Sequence, residues 1–319
     1  MENAIKPRIV VVGSANTDMV VQLPVLPRWG ETLLGGQFFL AQGGKGANQA
    51  VAAARLGADV TFIARMGSDS FADQALSAYA AEGIQTTYIQ RDPQAASGVA
   101  LIMVSSSGEN MIAVAPGANG LLSPRDVFAA QDVIAAADCL LLQLEIPLEA
   151  VQAAAELAHR HGVRVILNPA PARWLPPEIL RHVSLLTPNE HEAATLMNIA
   201  PGEEVVPAAQ NWVDNGELPA FVMTLGSKGA AILTKGQKPT YVPAFAVTAV
   251  DTVAAGDAFN GGLALALSRP GSAQGTADLA PAVRYANAVG ALSCTRAGAQ
   301  PSLPTRAEVE QFINSSETS

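Results

Sequence analysis

The string Ala254, Ala255, Gly256, Asp257, followed by AFNGGLALAL, sets three small residues and a carboxylate at the start of an apolar helical pattern. Small side chains let a ligand approach the backbone, and the first amides of a helix have no partner inside it. An anion such as a transferring phosphoryl group finds donors there. A carboxylate beside that anion can take a proton from an attacking hydroxyl, which makes Asp257 a candidate base. A tight turn with Asp257 as a simple helix cap would account for the same residues, so this motif leaves both readings open. A second glycine-rich string, GGKGANQA over residues 43–50, also precedes an Ala-rich segment. Gly44 permits close approach there, while Lys45 and Asn48 offer donors suited to hydroxyl groups. Neither G-x-x-x-x-G-K-[ST] nor a full G-x-G-x-x-G occurs, and a helix-initiating turn is the plain alternative.

More polar residues punctuate the ends of apolar runs: Asn16 and Asp18 after RIVVVG, Glu145 after LLLQL, Asn168 after VRVIL, and Asn189 with Glu192 after SLLTP. Any one of them reads as a turn or cap residue. Together, at strand ends of one sheet, they suit a crevice for a polyhydroxylated ligand. The four histidines, His159, His161, His182 and His191, lack metalloprotease spacing and read as surface residues. No serine lies in G-x-S-x-G, so nucleophilic hydrolysis has no support.

The elements that must hold these residues alternate. RIVVVG (8–13), VTFIARMG (60–67), DCLLLQLE (138–145), VRVILNP (163–169), SLLTPN (184–189) and FVMTLG (221–226) read as strands. Between several of them lie helical patterns: NQAVAAARLG (48–57), DQALSAYAAEG (73–83) and LEAVQAAAELAHRHG (148–162). That rhythm predicts an α/β fold with a mainly parallel sheet covered on both faces. Residues 18–40 and 97–115 break the rhythm. The second reads as a hairpin turning at SSSGEN, and the two are expected to pair as a small separate sheet. Residues 270–281 read as an exposed linker.

The chain has 319 residues, 49% of them hydrophobic, enough for a large core. A net charge of -9 with no basic run argues against nucleic acid as a partner. No apolar run nears the roughly 18 residues needed to cross a bilayer, and the N-terminus lacks a secretory pattern. Cys139 and Cys294 show no ligand spacing and read as reduced core thiols. These features point to a cytoplasmic protein with no membrane partner.

With both glycine strings on the page, the chain resembles the PfkB family of carbohydrate and nucleoside kinases. The likeness runs from GSANTD (13–18) to GAQPSLP (298–304), with QLE, NPAPAR, TPNEHE and TLGSKG in the family's order. It implies a ribokinase-like three-layer sandwich with a mainly parallel central sheet and a small β-sheet lid. One kinase domain would span 1–319, with lid segments at about 18–42 and 95–117. It also implies ATP-dependent phosphorylation of a sugar. By this resemblance Asn16, Asp18, Gly44, Lys45, Asn48 and Glu145 bind the sugar, Asp257 is the base, and Ala254, Ala255 and Gly256 form the anion hole. Asn189 and Glu192 organise Mg²⁺ through water, and Thr224, Gly226, Ser227 and Gly229 form the nucleotide loop, with Asn287 where a His beside the adenine is expected. A monovalent cation, K⁺, would be held by Asp251, Val253, Ser293, Arg296, Gly298 and Ser302, several through carbonyls. A homodimer through the lid is implied as well. Asn16 favours D-ribose phosphorylated at O5, since similar 2-deoxyribose kinases carry an apolar residue there. Other family sugars or nucleosides, and a non-catalytic sugar sensor, are the alternatives.

Overall fold

A computed structural model describes residues 6–200, 203–216, 218–269 and 278–317. Its strands are β1 (Arg8–Val12), β2 (Asn16–Leu23), β3 (Gln37–Gly43), β4 (Asp59–Gly67), β5 (Ile89–Asp92), β6 (Gly98–Ser105), β7 (Asn110–Ala115), β8 (Cys139–Leu142), β9 (Arg164–Leu167), β10 (Leu185–Leu186), β11 (Ala220–Thr224), β12 (Ala230–Thr234) and β13 (Thr240–Val242). Nine form the main sheet in the order β13-β12-β11-β10-β9-β8-β1-β4-β5. Every pairing from β11 to β5 is parallel, and β11-β12-β13 closes one side antiparallel.

Strand periodicity divides the core. In β1, Ile9 and Val11 pack on the side of helices Lys45–Arg55, Ala255–Ser268 and Ala280–Ser293. Val10 and Val12 pack on the other side, against Leu148–Arg160 and Val205–Asp214. Alternate side chains of a strand point to opposite faces, so a wholly apolar run such as RIVVV is buried only when both faces are covered. Each such buried side chain contributes about 1.5–3 kcal/mol of transfer free energy. The three-layer arrangement expected from the sequence is therefore present.

The irregular segments form a second sheet, ordered β3-β2-β6-β7. β2 runs antiparallel to β3 and parallel to β6, and β6 and β7 are the hairpin expected around SSSGEN. This sheet starts where β1 ends: Gly13 to Ala15 separate β1 from β2, so Asn16 and Asp18 lie at the junction of the two sheets. Three expectations need correction. The linker assigned to 270–281 lies mostly outside the described residues, and its last two positions already belong to helix Ala280–Ser293. His182 is half-buried, because its ring packs against that of His159 at 5.0 Å. Cys139 is buried, but Cys294 is only partly so. Among the described residues, no helix is long and apolar enough to cross a membrane.

Candidate active site

Helix Ala255–Ser268 begins without a side-chain cap; its N-cap is Ala254 and Asp257 sits in the first turn. Asp257 is therefore not the cap, which removes the plain reading of that motif. Its carboxylate is gripped instead from the neighbouring helix Lys45–Arg55. Asn48 Nδ2 donates to Oδ2 at 2.9 Å and Gln49 Nε2 donates to Oδ1 at 3.0 Å. The two glycine-rich strings thus meet across 209 residues of chain. Of the small residues beside Asp257, Ala255 already spends its amide on the Thr252 carbonyl at 3.2 Å.

Burial pushes the Asp257 carboxyl up to about 6, while the Lys45 ammonium and the two amides hold it down. Asp18 is raised further, to about 7, by burial first and then by the nearby charges of Glu145 and Asp257. Burial alone would lower Lys45, but the carboxylates of Asp257, Glu145 and Glu192 together lift it above its ordinary value. A cationic Lys45 amid carboxylates is the arrangement such a cluster needs to stay ionised.

The other sugar-assigned residues converge on the same place. Glu145 Oε2 accepts from Ser14 Oγ at 2.5 Å and from the Lys45 amide at 3.0 Å. Gly44 has φ +87°, and a β-carbon there would come within 2.8 Å of the Asn16 amide. A β-carbon at Gly43 would fall 2.3 Å from the Asp18 carboxylate, so a side chain there would displace it. Asn119 is fixed by a bond from the Ala15 amide to its Oδ1, so its Nδ2 donates to Asn16 Oδ1 at 2.8 Å. That fixes the Asn16 amide in turn, with Nδ2 left without a protein partner among the described residues.

Asn189, Thr224, Gly226, Ser227, Gly229 and Asn287 line one cavity of about 560 Å³. Gly226 and Gly229 have φ of +58° and +100°, and a β-carbon at Gly229 would strike the Val242 carbonyl at 2.1 Å. The loop therefore requires glycine at Gly229. Asn287 Nδ2 donates to the carbonyls of Val242 and Pro243, both at 3.1 Å. A smaller cavity of about 170 Å³ is walled by Lys45, Glu192, Asp257 and Asn260 and shares Asn189, Thr224, Thr252 and Gly256 with the larger one. The two cavities thus adjoin at the first turn bearing Asp257.

Asn189 and Glu192 form a capping box for helix Glu190–Leu196: Asn189 Oδ1 accepts from the Glu192 amide at 2.8 Å, and Glu192 Oε2 from the Asn189 amide at 2.9 Å. Their cap role is real, yet both also face the cavity with Asp257. Burial raises the Glu192 carboxyl. Among the residues expected to hold a monovalent cation, Asp251 ties the loops together: its Oδ1 accepts from the Val253 amide at 3.0 Å and its Oδ2 from the Gly298 amide at 2.9 Å. Ser293 and Ser302 turn their hydroxyl hydrogens to the carbonyls of Gly290 and Ala299. The Arg296 guanidinium pairs with Glu308 at 2.5 Å and, being cationic and without acceptors, leaves only the backbone carbonyl of that residue able to face a cation.

Sequence reasoning missed Ser14, Gln49, Asn119, Thr187 and Asn260, and it took Cys294 for a core thiol although it lines the larger cavity. A polar residue at the edge of an apolar helical run, as Gln49 is after Asn48 and before AVAAA, was the available signal.

The model of the pfkB family of carbohydrate kinases matches residues 6–306. The chain is 45% identical over 307 residues to a protein named ribokinase from Haemophilus influenzae, covering 96% of this chain and 98% of that one. It is 38% identical over 312 residues to a deoxyribokinase from Salmonella typhi, covering 97% and 99%. Its fold superposes on the structure titled as an Arabidopsis thaliana ribokinase complexed with ribose and ATP. The TM-score is 0.86 at 31% identity, over 97% of this chain and 99% of that one.

Proposed function

The chain belongs to the pfkB family of carbohydrate kinases, and on that premise we propose that it transfers the γ-phosphoryl group of ATP to O5 of D-ribose. It is an ATP-dependent sugar kinase. The observation that carries the reading is the meeting at Asp257 of two surroundings. One is the cavity lined by the nucleotide loop; the other is the cluster of Lys45, Asn48, Glu145 and Asp18.

Asp18, Lys45, Asn48 and Glu145 hold the sugar hydroxyls, and Asn16, fixed by Asn119, offers its Nδ2 to the 2-hydroxyl. Asp257 accepts the proton of the 5-hydroxyl as that oxygen attacks the phosphorus and the ADP oxygen departs. The amides around Gly256 lie where negative charge gathers on the transferring group. Glu192 leaves Oε1 without a hydrogen-bond partner among the described residues and carries a proton affinity raised by burial, which a divalent cation would relieve. With Asn189 it would hold Mg²⁺ through water, and the ion would supply charge neutralisation at the phosphates. The oxygen-only set of Asp251, Val253, Ser293, Arg296, Gly298 and Ser302 suits a hard monovalent cation such as K⁺ beside the anion hole.

The single kinase domain and its lid are read from the same arrangement. The small sheet exposes Phe38, Leu40 and Leu101 on one face, an apolar surface that supports a homodimer through the lid. Two unpaired cysteines favour a cytoplasmic enzyme.

The 2-deoxyribose reading is the nearest competitor, because a deoxyribokinase is among the relatives. The test is a coupled ADP-release assay with ATP, Mg²⁺ and K⁺ across ribose, 2-deoxyribose, fructose, adenosine and pseudouridine. Ribose is expected to give the highest kcat/KM. A higher value for another acceptor removes ribose, and no response from any of them removes the kinase reading.

A further inference from the structure

Two glutamines behind the base are wholly buried, which is unusual for an uncharged polar side chain with no ligand to bind. Gln49, in helix Lys45–Arg55, gives its two Nε2 hydrogens to Asp257 Oδ1 at 3.0 Å and Asn168 Oδ1 at 3.3 Å. Its Oε1 accepts from Gln143 Nε2 at 2.6 Å. The Asn168 end of this chain of amides is set by a backbone group that cannot rotate, and at the base the carboxylate can only accept. Asn168 Nδ2 donates to the Thr187 carbonyl at 3.0 Å, which turns Asn168 Oδ1 toward Gln49. Gln143 Oε1 has no partner among the described residues and sits where a β-carbon on Gly13 would lie only 2.1 Å away, so glycine at 13 makes room for that amide. Were Gln49 to flip, its carbonyl oxygen would face the Asp257 carboxylate and its NH₂ would face the Gln143 NH₂, losing three bonds at once.

We propose that Gln49 is a positioning residue for the base: held in one amide orientation by Asn168 and supported by Gln143, it holds Oδ1 of Asp257 while Asn48 holds Oδ2, so the carboxylate plane is set before sugar arrives. This rests on the reading of Asp257 as the base. Two adjacent helix residues supply the two donors, and the helix itself is anchored at the Ser14 carbonyl through the Ala47 amide at 2.8 Å. A carboxylate gripped through both oxygens cannot rotate to meet a hydroxyl. The sugar must therefore be brought to it, which is the geometry that in-line transfer demands. Gln143 touches neither substrate nor base; its effect passes wholly through Gln49.

The test compares Gln49→Met, Gln143→Met, Asp257→Asn and the two Asp257 double variants in the full chain, measuring kcat and the ribose KM, with a thermal melt of each. Gln49→Met is expected to lower kcat by about tenfold to hundredfold, the worth of one hydrogen bond to a charged group. The ribose KM should stay within about twofold, because Gln49 does not touch the sugar. Gln143→Met, which leaves the donor but loosens its orientation, is expected to cost less, by the same split. In the Asp257→Asn background both changes should have almost no further effect on residual turnover. Should Gln49→Met not fold, Gln143→Met decides. An undiminished loss in the Asp257→Asn background, a loss confined to KM, or normal kcat in Gln143→Met overturns the proposal. Near-normal turnover in Asp257→Asn itself would instead overturn the assignment of the base, a separate result.

Discussion

Replacing Asp257 by Asn should make the protein more stable and nearly inactive. The carboxyl is buried, and its pKa is raised from an ordinary 3.8 to about 6. An acid whose folded value lies above its unfolded one binds its proton more tightly in the native state. Native stability then falls as pH rises from about 4 through about 6, and above that range the full penalty of the buried charge is present. A difference of about two pH units corresponds to roughly 3 kcal/mol. For a chain of this length that is a rise in Tm of roughly 4–5 °C, from ~2 cal/mol/K of unfolding entropy per residue. The asparagine fits: its new NH₂ can meet Asn48 Oδ1, a buried acceptor now without a partner, once the Asn48 amide turns over. Melts of wild type and Asp257→Asn at steps from pH 4 to pH 8 read the effect. The two should nearly coincide at pH 4 and diverge to the full difference by pH 7, while turnover falls by about 10² to 10⁴, the usual worth of a general base. A variant that is less stable at pH 8, or a Tm difference that ignores pH, would refute the claim that the fold holds this charge at a cost.

In the pH profile of kcat/KM, the acid limb should reflect Asp257 and Asp18 titrating as a pair between about 6 and about 7. Lys45→Met removes the cation that favours the Asp257 charge and should carry its part of the limb to higher pH by about one unit; a limb that stays in place would show that Lys45 does not act on Asp257. Asn16→Met takes away the donor that Asn119 holds in place, and it should reduce kcat/KM for ribose by at least about tenfold more than for 2-deoxyribose. Equal losses with the two sugars would remove Asn16 from recognition of the 2-hydroxyl. On the small sheet, Leu101→Glu puts a charge in the exposed apolar face and should convert the proposed dimer to a monomer in sedimentation; a dimer that persists would place the interface elsewhere.

Much of what meets around Asp257 was singled out in the sequence, and the reason is chemical. GGKGANQA and AAGD stood out because small residues at a helix start let a ligand approach the backbone, although each by itself also read as a plain turn. The main sheet was readable because two-faced burial demands uninterrupted apolar runs. What escaped were residues whose meaning lies in partners far along the chain. Gln49 and Gln143 are 94 positions apart, and Asn119 reaches Ala15 and Asn16 across more than 100. Each reads locally as an ordinary polar residue in a helix, a strand end or a turn. Gly13 and Gly43 were within the quoted strings, but only coordinates show that one makes room for the Gln143 amide and the other for the Asp18 carboxylate. His182 and Cys294 were misplaced for the related reason that burial of a single side chain is a tertiary property.

The alanines that make the sequence look bland bear on the chemistry as directly as the acids do. Asn48 and Gln49 can reach Asp257 only because their helix lies very close to helix Ala255–Ser268, and that closeness depends on side chains too small to hold the two apart. Gly261 shows the limit: a β-carbon there would come within 2.6 Å of Ala52 Cβ and 3.0 Å of the Ala53 amide nitrogen. Interiors packed at crystal-like density cannot absorb such an overlap without moving a helix. A shift of about 1 Å between these helices would lengthen both amide bonds to Asp257 beyond useful range. The small residues of NQAVAAAR and NGGLALAL therefore set the distance between the base and the amides that orient it. Substitutions one turn away from the chemistry should act through that distance rather than through any contact with sugar or nucleotide.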